Sequence, residues 1–302
     1  MTLFIDPPLW PAHGTVFSHL ISDADLEQLH RFAHKQGLSP RAFDLDHYDV
    51  PVHRREQLIA AGARAVTAGE LTRRLQASGL RIPAKERPAQ IRRALLTRWE
   101  RLLPGHPEIG RSLLTRWDEP HRRYHTSVHL REVLERIELL GGGLTPESHR
   151  VLGLAAWYHD AVYAARPGQD EQASAQLCHR ELDGRVAPQT LDRAITLIEQ
   201  TAGYARPDIL SPYAADAQLW AVFHDADLGI LAASPSRYLR YAAAVREEYS
   251  MVPDAIFQEG RARLLRGFLE RERLFHTAEA HRVWETPARE NLRIELEQLH
   301  AG

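Results

Sequence analysis

Cysteine is almost absent from this chain: Cys178 is the only one among 302 residues, and methionine occurs twice. A single thiol excludes an intramolecular disulfide and any cysteine-rich zinc site. Its setting, Ala175-Gln-Leu-Cys-His-Arg180, reads as helix interior, where a lone thiol is a small hydrophobe. Also missing is any apolar run near the ~18 residues of a membrane span. The N-terminus carries acidic and prolyl residues by position 8. No membrane partner and a cytoplasmic location are therefore expected. Nor does either charge sign dominate: 38 Lys and Arg face 40 Asp and Glu, a formal charge of -2. No global field gathers nucleic acid or anionic lipid. One stretch, residues 81 to 123, is locally basic, with 11 Arg and Lys against 5 Asp and Glu. It reads as a solvated helical surface or linker, with polyanion contact the lesser reading.

What is present is ordinary for a globular chain, 44% apolar and 26% charged, long enough for two domains. Residues 1–82 read as a small α/β domain with a parallel sheet. Thr2 to Ile5 is a strand ended by Asp6-Pro7-Pro8, because prolines remove ladder donors. Ser22 is expected to cap a helix carrying Leu26, Leu29, Phe32 and Ala33 on one face. A weak middle strand is expected near Ala42-Phe43. Pro51 starts a helix running through Ile59, which Gly62 follows, and Ala63 to Val66 is a second strand. Thr67 and Glu70 make a capping-box pattern.

Residues 83–89, with Pro83, Lys85, Glu86, Arg87 and Pro88, read as a linker, and residues 90–302 as an all-helical domain. Helical periodicity recurs over 91–103, 130–140, 151–163, 191–198, 217–231, 238–248, 257–269 and 288–299. Gly141 to Gly143, Gly184 and Pro207 to Pro212 interrupt it as loops.

Four polar clusters recur over about 100 residues of this helical stretch: Tyr124-His125-x3-His129, His159-Asp160, Glu171 and Asp225-Ala226-Asp227. Burying imidazole and carboxylate is costly unless they bind a metal or one another. His125 and His129, four apart, emerge on one helical face. His159 and Asp160 form the polar end of an apolar run. With 17 histidines in the chain, any one alone is more simply a surface or satisfied core residue. The combination argues for a metal site, whose ligand types do not choose among manganese, zinc, iron, nickel and cobalt, with magnesium also compatible.

Residues 90–300 resemble the predicted metal-dependent phosphohydrolases of the HD superfamily. The resemblance rests on Glu119-Pro-His-Arg-Arg-Tyr-His-Thr-Ser-Val-His129, Ala156-Trp-Tyr-His-Asp-Ala-Val-Tyr163, Asp170-Glu-Gln-Ala-Ser-Ala175, Asp225-Ala-Asp-Leu-Gly-Ile-Leu231, Arg246-Glu-Glu-Tyr249 and Ala288-Arg-Glu-Asn-Leu292. It implies a helical HD-type fold with one catalytic divalent metal held by His129, His159, Asp160 and Asp227. It also implies His125 as proton donor to a leaving group, with Asp225 a neighbouring support or helix cap. Glu171 is expected to steer water or a ribose hydroxyl, and Arg122 and Arg123 to clamp phosphate or to be plain helix charges. The chain departs from that pattern twice: Gln169-Asp170-Glu171 replaces Asp-Asn-Glu, and Tyr204 stands where a histidine is usual.

The resemblance implies hydrolysis of a phosphate ester in a nucleotide or other small phosphorylated metabolite. The alternatives are a non-catalytic nucleotide- or metal-binding sensor or scaffold, and a di-iron oxygenase of the same superfamily. A homo-oligomer is compatible with all of them. Residues 1–82 are similar to a short bacterial domain of unknown function (DUF4031-like). That similarity rests on Asp6-Pro-Pro-Leu-Trp-Pro-Ala-His-Gly14, Phe17-Ser-His-Leu20, Arg41-Ala-Phe43 and Asp46-His-Tyr-Asp-Val-Pro51. There Asp6, His13, His19, Asp46, His47 and Asp49 either form a second small-molecule or metal site or hold a hydrogen-bonded turn. Arg54 and Arg55 are placed to assist an anion.

Overall fold

The structure, a computed structural model, describes residues 2–12, 14–81, 87–203 and 214–301; of 214, 215, 300 and 301 it describes the backbone only. Tyr204, His13, the loop over 207–212 and most of the expected linker lie outside the described residues. The chain divides into two compact units, Met1–Gln90 and Ile91–Gly302.

In the first unit, β1 (Leu3–Ile5), β2 (Trp10–Ala12), β3 (Thr15–Ser22), β4 (Tyr48–Pro51) and β5 (Arg64–Ala65) form one sheet. Helices α1 (Leu26–Lys35), α2 (Val52–Ala60) and α3 (Ala68–Ala77) complete it. The sheet is mixed, not parallel as expected. β3 runs antiparallel to β1, β2 and β4, and only β1 with β5 is parallel. For β2 and β3 the physical reason is the reversal at Gly14, whose φ of 75° turns the chain straight back on itself. A tight reversal gives an antiparallel pair, whereas a parallel pair needs a crossover of a dozen or more residues. β2, β3 and β4 were not anticipated, and the expected strand at Ala42-Phe43 is a short 3-10 turn (Pro40–Ala42) with one bridge from Phe43 to Tyr48.

Residue alternation in β1 gives the sheet two dry faces. Leu3 and Ile5 meet Leu20, Leu29 and Leu58, while Phe4 meets Ile21, Leu71 and Leu75. Asp25, not Ser22, caps α1 by accepting from the Gln28 amide. The Ser22 hydroxyl accepts from the Ala24 and Asp25 amides instead, closing the strand end. Thr67 caps α3 through the Glu70 amide.

The second unit is mostly helical. From Pro88 onward come α4 (Pro88–Leu102), α5 (Pro107–Trp117), α6 (Ser127–Leu140), α7 (Pro146–Tyr158), α8 (Gln169–Leu182), α9 (Pro188–Glu199), α10 (Ala214–Leu228), α11 (Pro235–Glu248), α12 (Asp254–Glu270) and α13 (Ala278–Ala301). Proline opens α5, α7, α9 and α11, where its preset φ suits the first turn and its missing N–H costs nothing. Trp99, Trp117 and Trp157 lie fully buried in the main core, with α7 buried on every side from Val151 to Tyr158. Gly110 lets α5 close on α4: a Cβ there would stand 2.4 Å from the Trp99 ring. Cys178 is buried in this core, and burial pushes its thiol up to about 12, so it is unreactive packing.

Candidate metal centre

α6, α7 and α10 pack together, and each delivers polar groups to one point. Thr126 caps α6 through the Val128 amide, which sets His129 in the first turn. His159 ends α7, Asp160 follows it, and Asp227 lies in the last turn of α10. His129, His159 and Asp227 are 2%, 1% and 4% exposed.

The donor atoms converge. His129 Nε2 lies 3.3 Å from His159 Nε2 and 3.0 Å from Asp227 Oδ1, and His159 Nε2 lies 3.5 Å from the same oxygen. Asp160 Oδ2 joins at 3.1 Å from His159 Nε2 and 3.9 Å from His129 Nε2. A tetrahedral ion with bonds of about 2.1 Å separates its ligands by about 3.4 Å, and an octahedral one separates neighbours by about 3.0 Å. The spacings among His129, His159 and Asp227 lie close to these values, so these three donors fit a transition-metal ion, while Asp160 approaches them from the His159 side. Among the described residues, His129, His159 and Asp227 form one of two groups whose donor atoms lie mutually within 4.8 Å.

The surroundings fix the tautomer. His159 Nδ1 is 2.9 Å from the Ala156 carbonyl. A carbonyl only accepts, so Nδ1 carries the hydrogen and Nε2 offers its lone pair to the centre. His129 lacks such a partner among the described residues and is flanked by the rings of Trp117 and Tyr124, 6.2 and 4.8 Å away between centroids. Burial holds His129 below its ordinary value. Burial also opposes charge on His159, but Asp160 and Asp227 overcome it and raise it well above the usual imidazole range. Against their own burial, His159 and His129 depress Asp227. A cation among these donors would compete with protons for the same lone pairs, so metal binding there would depend on pH.

His125 stands beside the centre, its ring centroid 5.7 Å from that of His129. Its Nδ1 donates to Glu248 Oε2 at 2.6 Å, and its ring stacks on Tyr163 at 4.4 Å. Glu248 also accepts from the backbone amides of Arg123, Tyr124 and His125 at 2.7, 2.8 and 3.0 Å, and from the Tyr163 hydroxyl at 3.0 Å. Burial works against both charges, yet the hydrogen bond wins: His125 is raised, and Glu248 is lowered to about 2. The pairing thus favours the protonated imidazole and the ionised carboxylate. Sequence reading gave Glu248 no role, although it stands in the Arg246-Glu-Glu-Tyr249 block. Its place 123 residues beyond His125 leaves no local signal of the pairing.

Arg122 does not serve the expected clamp. Its side chain is fully buried, and its five N–H groups go to Glu119 and to the carbonyls of His125, Asp160 and Ala161. It stakes the backbone on both sides of the histidine–aspartate cluster and has no donor left for phosphate. Arg123 is half-exposed, pairing with Glu247 and donating to the Pro120 and Arg122 carbonyls. Glu171 accepts from the Gly168 amide at 2.6 Å and so closes the N-terminus of α8. Burial and the Asp160 charge raise its carboxyl above the ordinary value. Asp170, beside it, accepts from the Ala164 and Arg166 amides and shapes the loop after Asp160. Asp225, wholly buried, turns away: it accepts from the His276 and Thr277 amides ahead of α13 and from His224.

Fold and centre together define a two-unit chain: a small mixed-sheet α/β unit, and a mostly helical unit whose buried histidine and aspartate groups can hold a metal ion. Residues 3–78 match the family model described as Protein of unknown function (DUF4031), so the first unit is similar to that family. No curated protein and no solved structure matches the chain. No helix of the described residues is long and apolar enough to cross a membrane.

Proposed function

We propose that the helical unit is a metal-dependent phosphohydrolase acting on a nucleotide or another small phosphorylated metabolite. The observation that carries this reading is the convergence of His129, His159 and Asp227, with Asp160 3.1 Å from His159, beside the His125–Glu248 pair. A divalent ion held there would lower the pKa of bound water toward roughly 7 and draw charge from a phosphoryl oxygen. The protein's own part is positional and protic. His125, kept protonated by Glu248, donates a proton to the departing ester oxygen, and Tyr163 holds the imidazole plane by stacking. Arg122 fixes the carbonyls of His125 and Asp160, tying the acid to the ligand cluster. Arg123 is the exposed cation nearest His125 in sequence and is the residue to meet a substrate phosphate.

The test is metal analysis of the purified chain followed by hydrolysis of p-nitrophenyl phosphate, bis(p-nitrophenyl) phosphate, nucleotides and sugar phosphates. His159→Ala and Asp160→Ala should remove metal and activity together, while His125→Ala should keep metal and lose turnover by 10²–10⁴-fold. A chain that hydrolyses none of these with metal bound is a binding module, and the catalytic reading fails.

A further inference from the structure

The first unit contains a second cluster of metal-ligating side chains, and its construction is unusual for a mere turn. His19 on β3 and Asp49 on β4 are directly opposed in the antiparallel register, and His47 immediately precedes β4. His19 Nε2 lies 3.7 Å and His47 Nε2 3.5 Å from the same oxygen, Asp49 Oδ1. The three donor atoms lie mutually within 4.8 Å. The two rings meet edge to face, 4.5 Å apart between centroids.

Behind each ring stands a buried carboxylate. Asp6, at the end of β1 and 1% exposed, accepts from His19 Nδ1 at 3.2 Å and from the His19 amide at 2.5 Å. Asp46, fully buried, accepts from His47 Nδ1 at 2.5 Å, with Arg81 3.4 Å away. A carboxylate on Nδ1 fixes the hydrogen there and aims the Nε2 lone pair the other way, here toward Asp49 from both sides. This carboxylate–histidine arrangement is the one that orients and strengthens imidazole ligands at metal sites. Burying two carboxylates is costly, and a turn needs neither of them. Arg55, once a candidate anion contact, is occupied at the Asp6 carbonyl, and Arg54 at that of Gln36, so both tie α2 down.

The geometry points to a second metal site: His19, His47 and Asp49 hold one divalent first-row transition-metal ion, with Asp6 and Asp46 orienting the two imidazoles. Three protein ligands of this kind suit zinc or iron and mark a reactive site more than a structural one, since structural zinc takes four. Asp49 is 44% exposed and Trp10 is 48% exposed with its ring 5.0 Å from His19, so the site faces solvent beside an aromatic surface. Water or a small oxyanion completes the coordination. This site is independent of the one in the helical unit.

Zn(II) alone, titrated into the chelator-stripped full chain, tests it, with Co(II) absorption reporting the ligand set. Wild type should bind two equivalents. Asp49→Asn, isosteric and half-exposed, should retain the fold by circular dichroism and lose one equivalent, as should His47→Gln. Asp6→Asn should keep that equivalent but weaken it 10–100-fold. His159→Ala should lose the other equivalent and leave this one. If Asp49→Asn and His47→Gln bind zinc as wild type does, the second site does not exist, whatever happens at His159. If they each lose one equivalent while His159→Ala loses none, this inference stands and the helical centre fails.

Discussion

Glu248→Gln is the most informative single change in the helical unit, because one carboxylate there accepts five hydrogen bonds. Its Oε1 gathers the amides of residues 123–125, and its Oε2 takes His125 Nδ1 and the Tyr163 hydroxyl. Glutamine can keep the amide nest through its carbonyl oxygen, but its NH2 group faces two donors. Replacing charge-assisted bonds with neutral or opposed ones predicts a loss of about 2–4 kcal/mol at pH 7. The pH dependence provides an independent check. Glu248 falls from 4.5 in the unfolded chain to about 2 in the folded one. A depressed carboxyl contributes stability that is complete above the unfolded value and is lost as pH falls through the folded value. That contribution is at most about 3 kcal/mol, at 1.36 kcal/mol per unit. The gap between wild type and Glu248→Gln, read from urea unfolding, should therefore be full at pH 6–7 and should shrink between pH 4.5 and 2. In parallel, the His125 imidazole should titrate lower in the variant by NMR. A gap under about 0.5 kcal/mol at pH 7, or one indifferent to acid, would falsify the claim that Glu248 holds His125 charged.

Asp225→Ala should separate the two neighbouring aspartates. It strands the His276 and Thr277 amides and should destabilise the chain by about 2–4 kcal/mol in urea unfolding while leaving metal content intact. Asp227→Asn should do the opposite, losing metal with the fold retained. Gly110→Ala forces a methyl against buried Trp99 and should cost about 1–3 kcal/mol, seen as a lower urea midpoint.

Much of the helical unit was legible because its helices bury one face each, and burial writes a 3.6-residue period into the sequence. α5 and α8 escaped the periodicity scan; only the Cys178 setting gave a sign of α8. That buried histidines and aspartates come together here was legible because imidazole and carboxylate have few other reasons to sit in apolar helices. What escaped was long-range partnership. Glu248 reads as one acid in a charged helix, and nothing local joins it to His125. Arg122 reads as an exposed cation until the carbonyls of Asp160 and Ala161 are seen to surround it. The sheet went wrong for the same reason. The Asp6-Pro7-Pro8 break was visible, but strand direction is set by what the chain meets after turning, and β2 with its proline looked unlike a strand.

The central claim is that His129, His159, Asp160 and Asp227 hold one ion. The most direct measurement is the anomalous-scattering position of Zn(II) in crystals of the full chain. A peak within about 2.0–2.3 Å of both Nε2 atoms and of one oxygen from each aspartate is the predicted result. No peak among these four groups at saturating zinc, or an ion held by Asp225 in place of Asp227, would contradict it.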